Sequence, residues 1–453
     1  MEFPDAVPVD STRELHDWLV DNWWVVLVAG SVGVVGLATV VKFAGSPFYI
    51  HKDSALFQHG GWYILNGGTL YVDIWDLKPP LIYWVSAVLA LLSFGNMAVL
   101  QIYGIIAAVA AVSGGIIFVG LTAHRLTDDR FAALVAAGSM LLVTSLYTFP
   151  YAGIRPKYFA FLCGAGALYF ALEDRSLASG VAAALAAGFW QLGGLLAFLV
   201  VAINADRGGA RGAGRTIAGG LVVTVLTVLP FVLTGRTIPL FVEVVLGPIY
   251  GVERYTLVGR LLTLIVELGP GLLLVPIAFA GYALAIRRDW RTYWWVASGG
   301  GLYSLQIFLE FQGTIELVLF FVFLALGAGV LTAELSVPSR QSTLAGVLVV
   351  LILLSGLWAE SSVIPGNDAA VDLQEDHDIP NYEDLPPDPP NSPSMQEIYW
   401  EKQKPDNCHY RLGHKQKYFE MVTGGSINKT TCGQWPYDRE PLPWVLDALN
   451  PLS

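Results

Sequence analysis

Charged residues are scarce in this sequence of 453 residues, and their scarcity excludes an ordinary soluble protein. Asp, Glu, Lys and Arg make up 14% of the chain, against about 25% in soluble domains. Hydrophobic residues make up 54%, and the mean hydropathy is +0.55. This composition is typical of a protein that folds in a lipid bilayer.

Basic residues are also few, with 26 Lys and Arg against 37 Asp and Glu, which gives a net charge of −11. A protein that binds nucleic acid presents a basic face, so no nucleic-acid partner is expected. Most of the acidic excess lies in the tail that follows residue 360.

Cysteine is almost absent, with three residues in the whole chain. Cys163 stands in an apolar run and is predicted to pack as a small hydrophobic side chain. Cys408 and Cys432 stand in the tail, where they could form one disulfide if the tail lies outside the cell.

Long apolar runs are the dominant positive feature. Each is close to 20 residues, which is enough to cross a hydrocarbon core of about 30 Å as a helix. The first run follows an acidic leader, residues 1–22, and shows no cleavage pattern, so it is predicted to be an uncleaved span with a cytoplasmic leader. The runs cover residues 23–41, 97–123, 131–148, 216–234, 261–286 and 343–359.

Arginine clusters at 124–130, 206–215 and 287–291 predict the topology, because basic loops favour the cytoplasm. The run 80–94 is short and is predicted to be an interfacial helix, since as a crossing it would place all three clusters outside. The segment 177–205 makes either two short crossings through "FWQLGG" or one re-entrant loop. Both alternatives leave the amino terminus inside and the tail outside.

The predicted fold class is therefore an all-α polytopic membrane protein with a bundle of about eleven transmembrane helices. The membrane domain covers 23–360, including an outer catalytic loop with its interfacial helix at 46–94. An acidic, proline-rich linker at 361–393 leads to a small external module at 394–453.

Several basic residues fall on the predicted outer side, against the usual charge bias. As a set they favour an anionic ligand there. His51 and His59 are too few and too poorly spaced to predict a metal site. The outer basic residues are Lys52, Lys78, Arg155, Lys157, Arg236, Arg254 and Arg260.

The outer loop contains "GGWYILNGGTLYVDIWD" followed by "KPPLIYW", with Asp53 soon after the first span. These residues resemble the polyprenyl-phosphate-sugar glycosyltransferases of the GT-C fold, and above all the dolichyl-phosphate-mannose mannosyltransferases of archaeal protein N-glycosylation. The resemblance implies an enzyme of the cell membrane that takes part in the N-glycosylation of proteins such as S-layer glycoproteins. It would move mannose from a dolichyl- or polyprenyl-phosphate donor to a glycan on a glycoprotein or lipid carrier, on the extracellular side.

The same resemblance implies roles for individual residues. Asp53 would be the catalytic base, although many relatives have Asp-Glu where this chain has Asp53-Ser54. Lys78 would lie near the lipid phosphate, with Arg155 and Lys157 as polar residues at the outer end of the next helix pair. The remaining candidates for substrate binding are Asp73, Asp76 and Glu310.

The chemistry agrees with this inventory. A phosphate leaving group needs cations rather than a general acid, so one carboxylate that deprotonates the acceptor hydroxyl is enough for transfer with inversion. A glycosidase needs a second carboxyl group. No cofactor is required, and the residues leave a divalent metal open.

Four competing interpretations remain at the level of sequence, one of them a related transferase that uses another donor sugar or a protein acceptor directly. Asp76 and Lys78 could simply cap and anchor the helix that begins at Pro79-Pro80. Glu310 could belong to a plain polar turn. The protein could also be a flippase for lipid-linked saccharides, but transporters place charges at broken helices in mid-membrane and show inverted repeats. Here the charges gather at the outer ends and no repeat is visible.

Overall fold

The computed structural model describes residues 9–47, 49–71, 76–94, 96–246, 248, 257–309, 313–335 and 337–360. This part of the chain is helical, as the composition and apolar runs predict. The predicted linker and external module, with Cys408 and Cys432, lie outside it, so their fold and the disulfide stay predictions.

Sixteen α-helices follow one another in the described residues. The first eight are α1 (Val9–Asp21), α2 (Trp23–Gly45), α3 (Lys52–Leu65), α4 (Leu81–Leu92), α5 (Met97–Thr127), α6 (Arg130–Ser139), α7 (Ser145–Thr148) and α8 (Pro156–Leu172). The next eight are α9 (Ser176–Phe189), α10 (Gly194–Leu233), α11 (Thr237–Phe241), α12 (Leu257–Leu268), α13 (Leu274–Ser304), α14 (Gln306–Leu309), α15 (Val318–Glu334) and α16 (Pro338–Ala359).

Short turns connect several of these helices. They are 3₁₀ turns at Met140–Leu142, Pro150–Ala152, Gln191–Gly193, Gly269–Leu273 and Thr314–Leu317, and a π-helical turn at Val242–Leu246. Proline in the first turn of α8 and of α16 suits a helix start. The N–H of a residue at that position has no acceptor within the helix, so proline loses no hydrogen bond by lacking it. Asn96 caps α5 by accepting a hydrogen bond from the Val99 N–H at 3.1 Å.

The core lies around α15, which is buried almost along its whole length. Its apolar residues occupy every face, as expected for a helix enclosed by others rather than exposed to solvent. Helices α5, α6, α8 and α13 pack against it. The lipid-facing surface is formed by helices such as α2 and α16, which expose many large aliphatic side chains.

Six segments of the described chain are long and apolar enough to cross a membrane, and the protein is therefore a multi-pass membrane protein. Two of them are kinked, at Gly209 within α10 and at Asp289 within α13. The segment Gln191–Leu233 has 43 residues, about 65 Å of helix, or twice a hydrocarbon core. The total of eleven spans stays a prediction.

The three arginine clusters meet at one end of the bundle, which we call the basic end. Arg125 pairs with Glu173 at 2.9 Å, and Arg207 pairs with the adjacent Asp174 at 2.9 Å. The third cluster is reached through Trp294, whose indole N–H donates to Asp206 at 3.4 Å. Grouping these clusters on one side of the membrane was therefore consistent with the fold.

The described parts of the loops predicted to be external meet at the opposite end, which we call the site end. Here "FWQLGG" turns between α9 and α10, so the segment 177–205 forms two helices joined at the site end. Whether these make two crossings or one re-entrant loop stays a prediction. Helix α4 also begins and ends here, and at 12 residues it is too short for a span. The outer loop contains one helix that the sequence did not predict, α3.

Candidate active site

Helix α3 places Asp53 in its first turn, where a carboxylate is favoured by the helix dipole. The His51 ring caps the helix, since its Nδ1 accepts a hydrogen bond from the Asp53 N–H at 3.1 Å. The Asp53 side chain is 47% exposed and its Oδ2 lies 3.8 Å from the same nitrogen. A half-exposed carboxylate of this kind can reach an incoming hydroxyl.

Tyr83 connects the two ends of the predicted loop. Its hydroxyl donates to Asp76 Oδ2 at 2.8 Å, while Asp76 Oδ1 accepts the Leu77 N–H at 2.8 Å. Burial, followed by the charge of Asp76 and lastly that of Asp53, raises the pKa of Tyr83 well above its usual value. Helix α4 has Pro80 as its N-cap, with no side-chain hydrogen bond there. Asp76 therefore orients Tyr83 and does not cap the helix.

Tyr71 holds the segment before the two prolines. Its hydroxyl donates to the Lys78 carbonyl at 2.7 Å, and its φ of 67° lies in the left-handed region. A bulky residue with this φ is strained by about 1–3 kcal/mol. Burial, followed by the charges of Asp76 and Glu243, raises the pKa of Tyr71 well above its usual value. The hydroxyl therefore stays protonated and remains a donor.

Three cations gather beside this segment. Lys157 Nζ lies 2.5 Å from Glu316 Oε1, and both side chains are only 14% exposed. Lys78 and Arg155 are close enough to repel the Lys157 ammonium. Like charges that lie close together repel one another unless an anion lies among them. This arrangement suits a ligand with a phosphate group.

Aromatic rings cover the same cations. Arg155 lies 5.0 Å from the centre of the Phe149 ring, and Lys157 Nζ lies 5.9 Å from that of Trp190. Both distances are within cation–π range. The rings restrict the cations to fixed positions and reduce their contact with water, which strengthens their attraction for an anion.

Gln191 was not predicted from the sequence. It stands in the turn between α9 and α10, and its Nε2 donates to the carbonyls of Leu77 and, at 3.2 Å, of Val244. The amide thus ties the residue before Lys78 to the segment after α11. Its only sequence signal is a polar residue in "FWQLGG", between two alanine-rich runs.

An apolar groove of about 720 Å³ opens next to the two prolines. Its walls come from α9, α10 and α11, with Pro79 and Pro80 at one end. Helices α9 and α10 are in close contact at Gly180, where a Cβ atom would lie 1.9 Å from the Thr216 carbonyl oxygen. The groove lies between these helices and is lined by small and aliphatic side chains, with few polar groups.

The structure describes some of the predicted site residues and leaves others outside the described ranges. Asp53, Asp76, Lys78, Arg155 and Lys157 all lie at the site end. Asp73 and Glu310 fall outside the described residues, as does Arg254. Within the described part no cluster of three His, Cys, Asp or Glu side chains could hold a metal ion.

Comparison with known proteins gives two matches. The sequence model of a family described as DolP-mannose mannosyltransferase matches residues 67–229. This range holds the prolines, Arg155, Lys157 and the groove lining that comes from α9 and α10, but not Asp53. The chain is also 26% identical over 444 residues to a dolichol phosphate-mannose mannosyltransferase of Haloferax volcanii. That alignment covers 90% of this chain and 96% of the relative.

Both matches agree with the resemblance seen in "KPPLIYW" and its surroundings. They confirm the predicted kinship with the dolichyl-phosphate-mannose mannosyltransferases, and the protein is accordingly a glycosyltransferase embedded in the membrane.

Proposed function

We propose that the protein transfers mannose from dolichyl phosphate mannose to an acceptor glycan at the outer face of the cell membrane, in protein N-glycosylation. One observation carries the proposal. Three cations, Lys78, Arg155 and Lys157, gather between a half-exposed carboxylate and an apolar groove. A lipid phosphate sugar has the same sequence of parts: an apolar chain, a phosphate and a sugar.

The groove would hold the first part of the polyprenyl chain. Its volume is within the range of small-molecule sites, roughly 300–1,000 Å³. A lipid chain gains little affinity by leaving the bilayer for a protein groove, because both surroundings are apolar. The groove therefore fixes the position of the donor rather than its affinity. It directs the phosphate towards Lys78, which directly precedes the prolines at the groove end.

The cations stabilise the leaving group. As the bond between the sugar C1 and the phosphate oxygen breaks, negative charge grows on dolichyl phosphate. Lys78, Arg155 and Lys157 are already in place to meet that charge, so little reorganisation is required during the reaction. The leaving oxygen needs no proton, and the site needs no general acid.

Asp53 serves as the general base. Its carboxylate takes the proton of the acceptor hydroxyl, whose oxygen forms the new bond to C1 from the side opposite the phosphate. The configuration at C1 is thereby inverted. His51 holds the backbone at Asp53 and lies beside its carboxylate.

Gene deletion tests the proposal in the host. Mass spectrometry of the surface glycoproteins should show glycans that lack one hexose when the gene is absent, and full restoration by the wild-type gene. Loss of the entire glycan would contradict terminal transfer and would favour a flippase or an earlier step.

Reconstitution tests the donor and the orientation. Purified protein in liposomes with dolichyl phosphate [¹⁴C]mannose should label glycopeptides prepared from the deletion strain. In cells, an Asp53→Cys variant should react with a membrane-impermeant maleimide added outside. Labelling only after permeabilisation would place the residue in the cytoplasm and refute the proposed topology.

A further inference from the structure

Two short segments lie side by side next to Asp53. The His51 N–H donates to the Ala152 carbonyl at 3.2 Å, which joins the chain before α3 to the 3₁₀ turn Pro150–Ala152. The rings of Tyr49 and Tyr151 stack across this junction, with centroids 5.5 Å apart and an interplanar angle of 23°. Neither ring belongs to the donor site described above.

The junction is built on a fixed base. Gln101 of α5 donates from Nε2 to the Tyr49 carbonyl at 3.1 Å. Gly153, at the end of the turn, has a φ of +103°, and a Cβ atom there would lie 3.0–3.2 Å from Ser54, Gln101 and Gln58. The turn therefore rests directly on α3 and α5, and the tyrosine pair has a defined position relative to Asp53.

The tyrosine pair lies close to the start of α3. Along the chain Tyr49 precedes His51 by two residues, and Asp53 follows it by two. The His51 ring also meets the edge of Phe149, at 6.5 Å between centroids, and Phe149 in turn covers Arg155. A path of adjoining side chains thus leads from Arg155 to His51, whose backbone N–H bonds to the turn that carries Tyr151.

Membrane proteins often carry tyrosines as a belt at headgroup level. Belt residues project separately into the lipid interface. Tyr49 and Tyr151 instead stack on one another and are only partly exposed. The Gln101 side chain holds the Tyr49 carbonyl, and the His51 N–H holds the turn that carries Tyr151. Phe94, at the same end, is 96% exposed and represents the belt type.

We propose that Tyr49 and Tyr151 form the subsite for the accepting sugar, a neutral pyranose at the end of the acceptor glycan. This inference rests on the proposed function. A pyranose has an apolar face of C–H groups, which packs on the electron-rich face of an aromatic ring. With that face on the tyrosines, a ring hydroxyl is directed to Asp53, which removes its proton.

The subsite predicts a specific kinetic effect. We would measure transfer in liposomes at saturating dolichyl phosphate [¹⁴C]mannose, with glycopeptides from the deletion strain as the varied acceptor. Tyr49→Ala and Tyr151→Ala should each raise the KM for acceptor about tenfold, the effect of a lost aromatic contact. The kcat and the KM for donor should stay within about twofold of wild type. Tyr151→Phe, which keeps the ring, should behave as wild type.

Two further variants distinguish the loss of sugar stacking from the loss of packing volume and from an effect of the lipid interface. Tyr151→Leu fills most of the same volume without a ring, so it should raise the KM for acceptor even if the alanine variants fold poorly. Phe94→Ala should leave all constants unchanged.

Each alternative outcome is decisive. An unchanged KM for acceptor in Tyr151→Leu and in the alanine variants refutes the subsite, as does an equal rise in the KM for donor or the same effect in Phe94→Ala. If wild-type protein transfers no mannose from this donor, the proposed function fails and the subsite fails with it. If wild type is active, only the subsite is in question.

Discussion

The basic end and the site end both pair cations with carboxylates, but the surroundings of the pairs differ. At the basic end the arginine side chains of the Arg125–Glu173 and Arg207–Asp174 pairs are 56% and 40% exposed. At the site end Lys157 and Glu316 are both 14% exposed. Exposed pairs contribute about 0–1 kcal/mol, whereas a buried pair must overcome the desolvation of both charges.

This difference distinguishes cations that reflect the membrane topology from cations that take part in the proposed reaction. The arginines at the basic end can remain hydrated, and their number agrees with the predicted cytoplasmic side. Burying a charge such as that of Lys157 at the site end is costly. On the proposed function an anionic ligand accounts for the cations there, so substitutions at the site end should lower activity and stability more than matching substitutions at the basic end.

The largest expected effect is that of Asp53→Asn. Removing the base should lower kcat by about 10²–10⁴-fold, with little change in protein yield, because the side chain is half exposed. Transfer of labelled mannose in liposomes is the measurement. Asp174→Asn, at the basic end, is the matched control and should retain activity. Activity near wild type in Asp53→Asn would refute the assignment of the base.

Lys157→Met should lower kcat by about 100-fold, because a cation that faces the leaving phosphate is lost. It should also destabilise the protein by about 3–5 kcal/mol, since Glu316 keeps a buried charge without its partner. Arg207→Met at the exposed pair should change stability by at most about 1 kcal/mol. Detergent-solubilised protein would be compared by thermal unfolding.

The double variant Lys157→Met/Glu316→Gln separates these two contributions. Removing both charges should restore most of the stability but none of the activity. Recovery of activity along with stability would show that Lys157 only neutralises Glu316, and would remove it from the phosphate site.

Ala184→Trp tests the groove, because Ala184 is a small residue of α9 that lines it. The indole would occupy the space of the polyprenyl chain, and the KM for donor should rise about tenfold, the usual size of an overpacking effect. Val222→Trp, on the 55% exposed lipid side of α10, should leave the KM unchanged. Equal behaviour of the two variants would place the lipid chain elsewhere.

Gln191→Leu should have the smallest effect. Loss of the hydrogen bonds to the Leu77 and Val244 carbonyls loosens the segment that carries Lys78, so the KM for donor should rise about fivefold. Its counterpart at the basic end is Gln341, which bonds to His16 at 3.0 Å and to Asp129 at 3.0 Å. Gln341→Leu should reduce stability and leave the KM for donor unchanged.

Much of this organisation could be predicted because the membrane constrains local sequence so strongly. Apolar runs must be helices where no water is available for the backbone, and the arginine clusters show which loops share one side. The Lys-Pro-Pro element and Asp53 were visible for a related reason: charges next to apolar segments are rare enough to stand out.

Other parts of the site carried no such local signal. Helix α3 was missed because its glycines and polar residues lack a helical apolar pattern, and only burial against α4 explains its stability. Gln191 and Glu316 are ordinary polar residues in turns. Their importance comes from partners far away in the chain, at Leu77 and Lys157.

The sequence by itself determined that this chain is a helical membrane protein with most of its charged residues near helix ends, because hydrophobicity and charge are properties of single segments. The tertiary structure decided which side chains come together. Lys78 lies near Lys157 and Arg155, Asp76 bonds to Tyr83, and Tyr49 stacks on Tyr151. Such encounters depend on the packing of helices distant in sequence, and helix packing is set by side-chain shape, which no local pattern of polarity records.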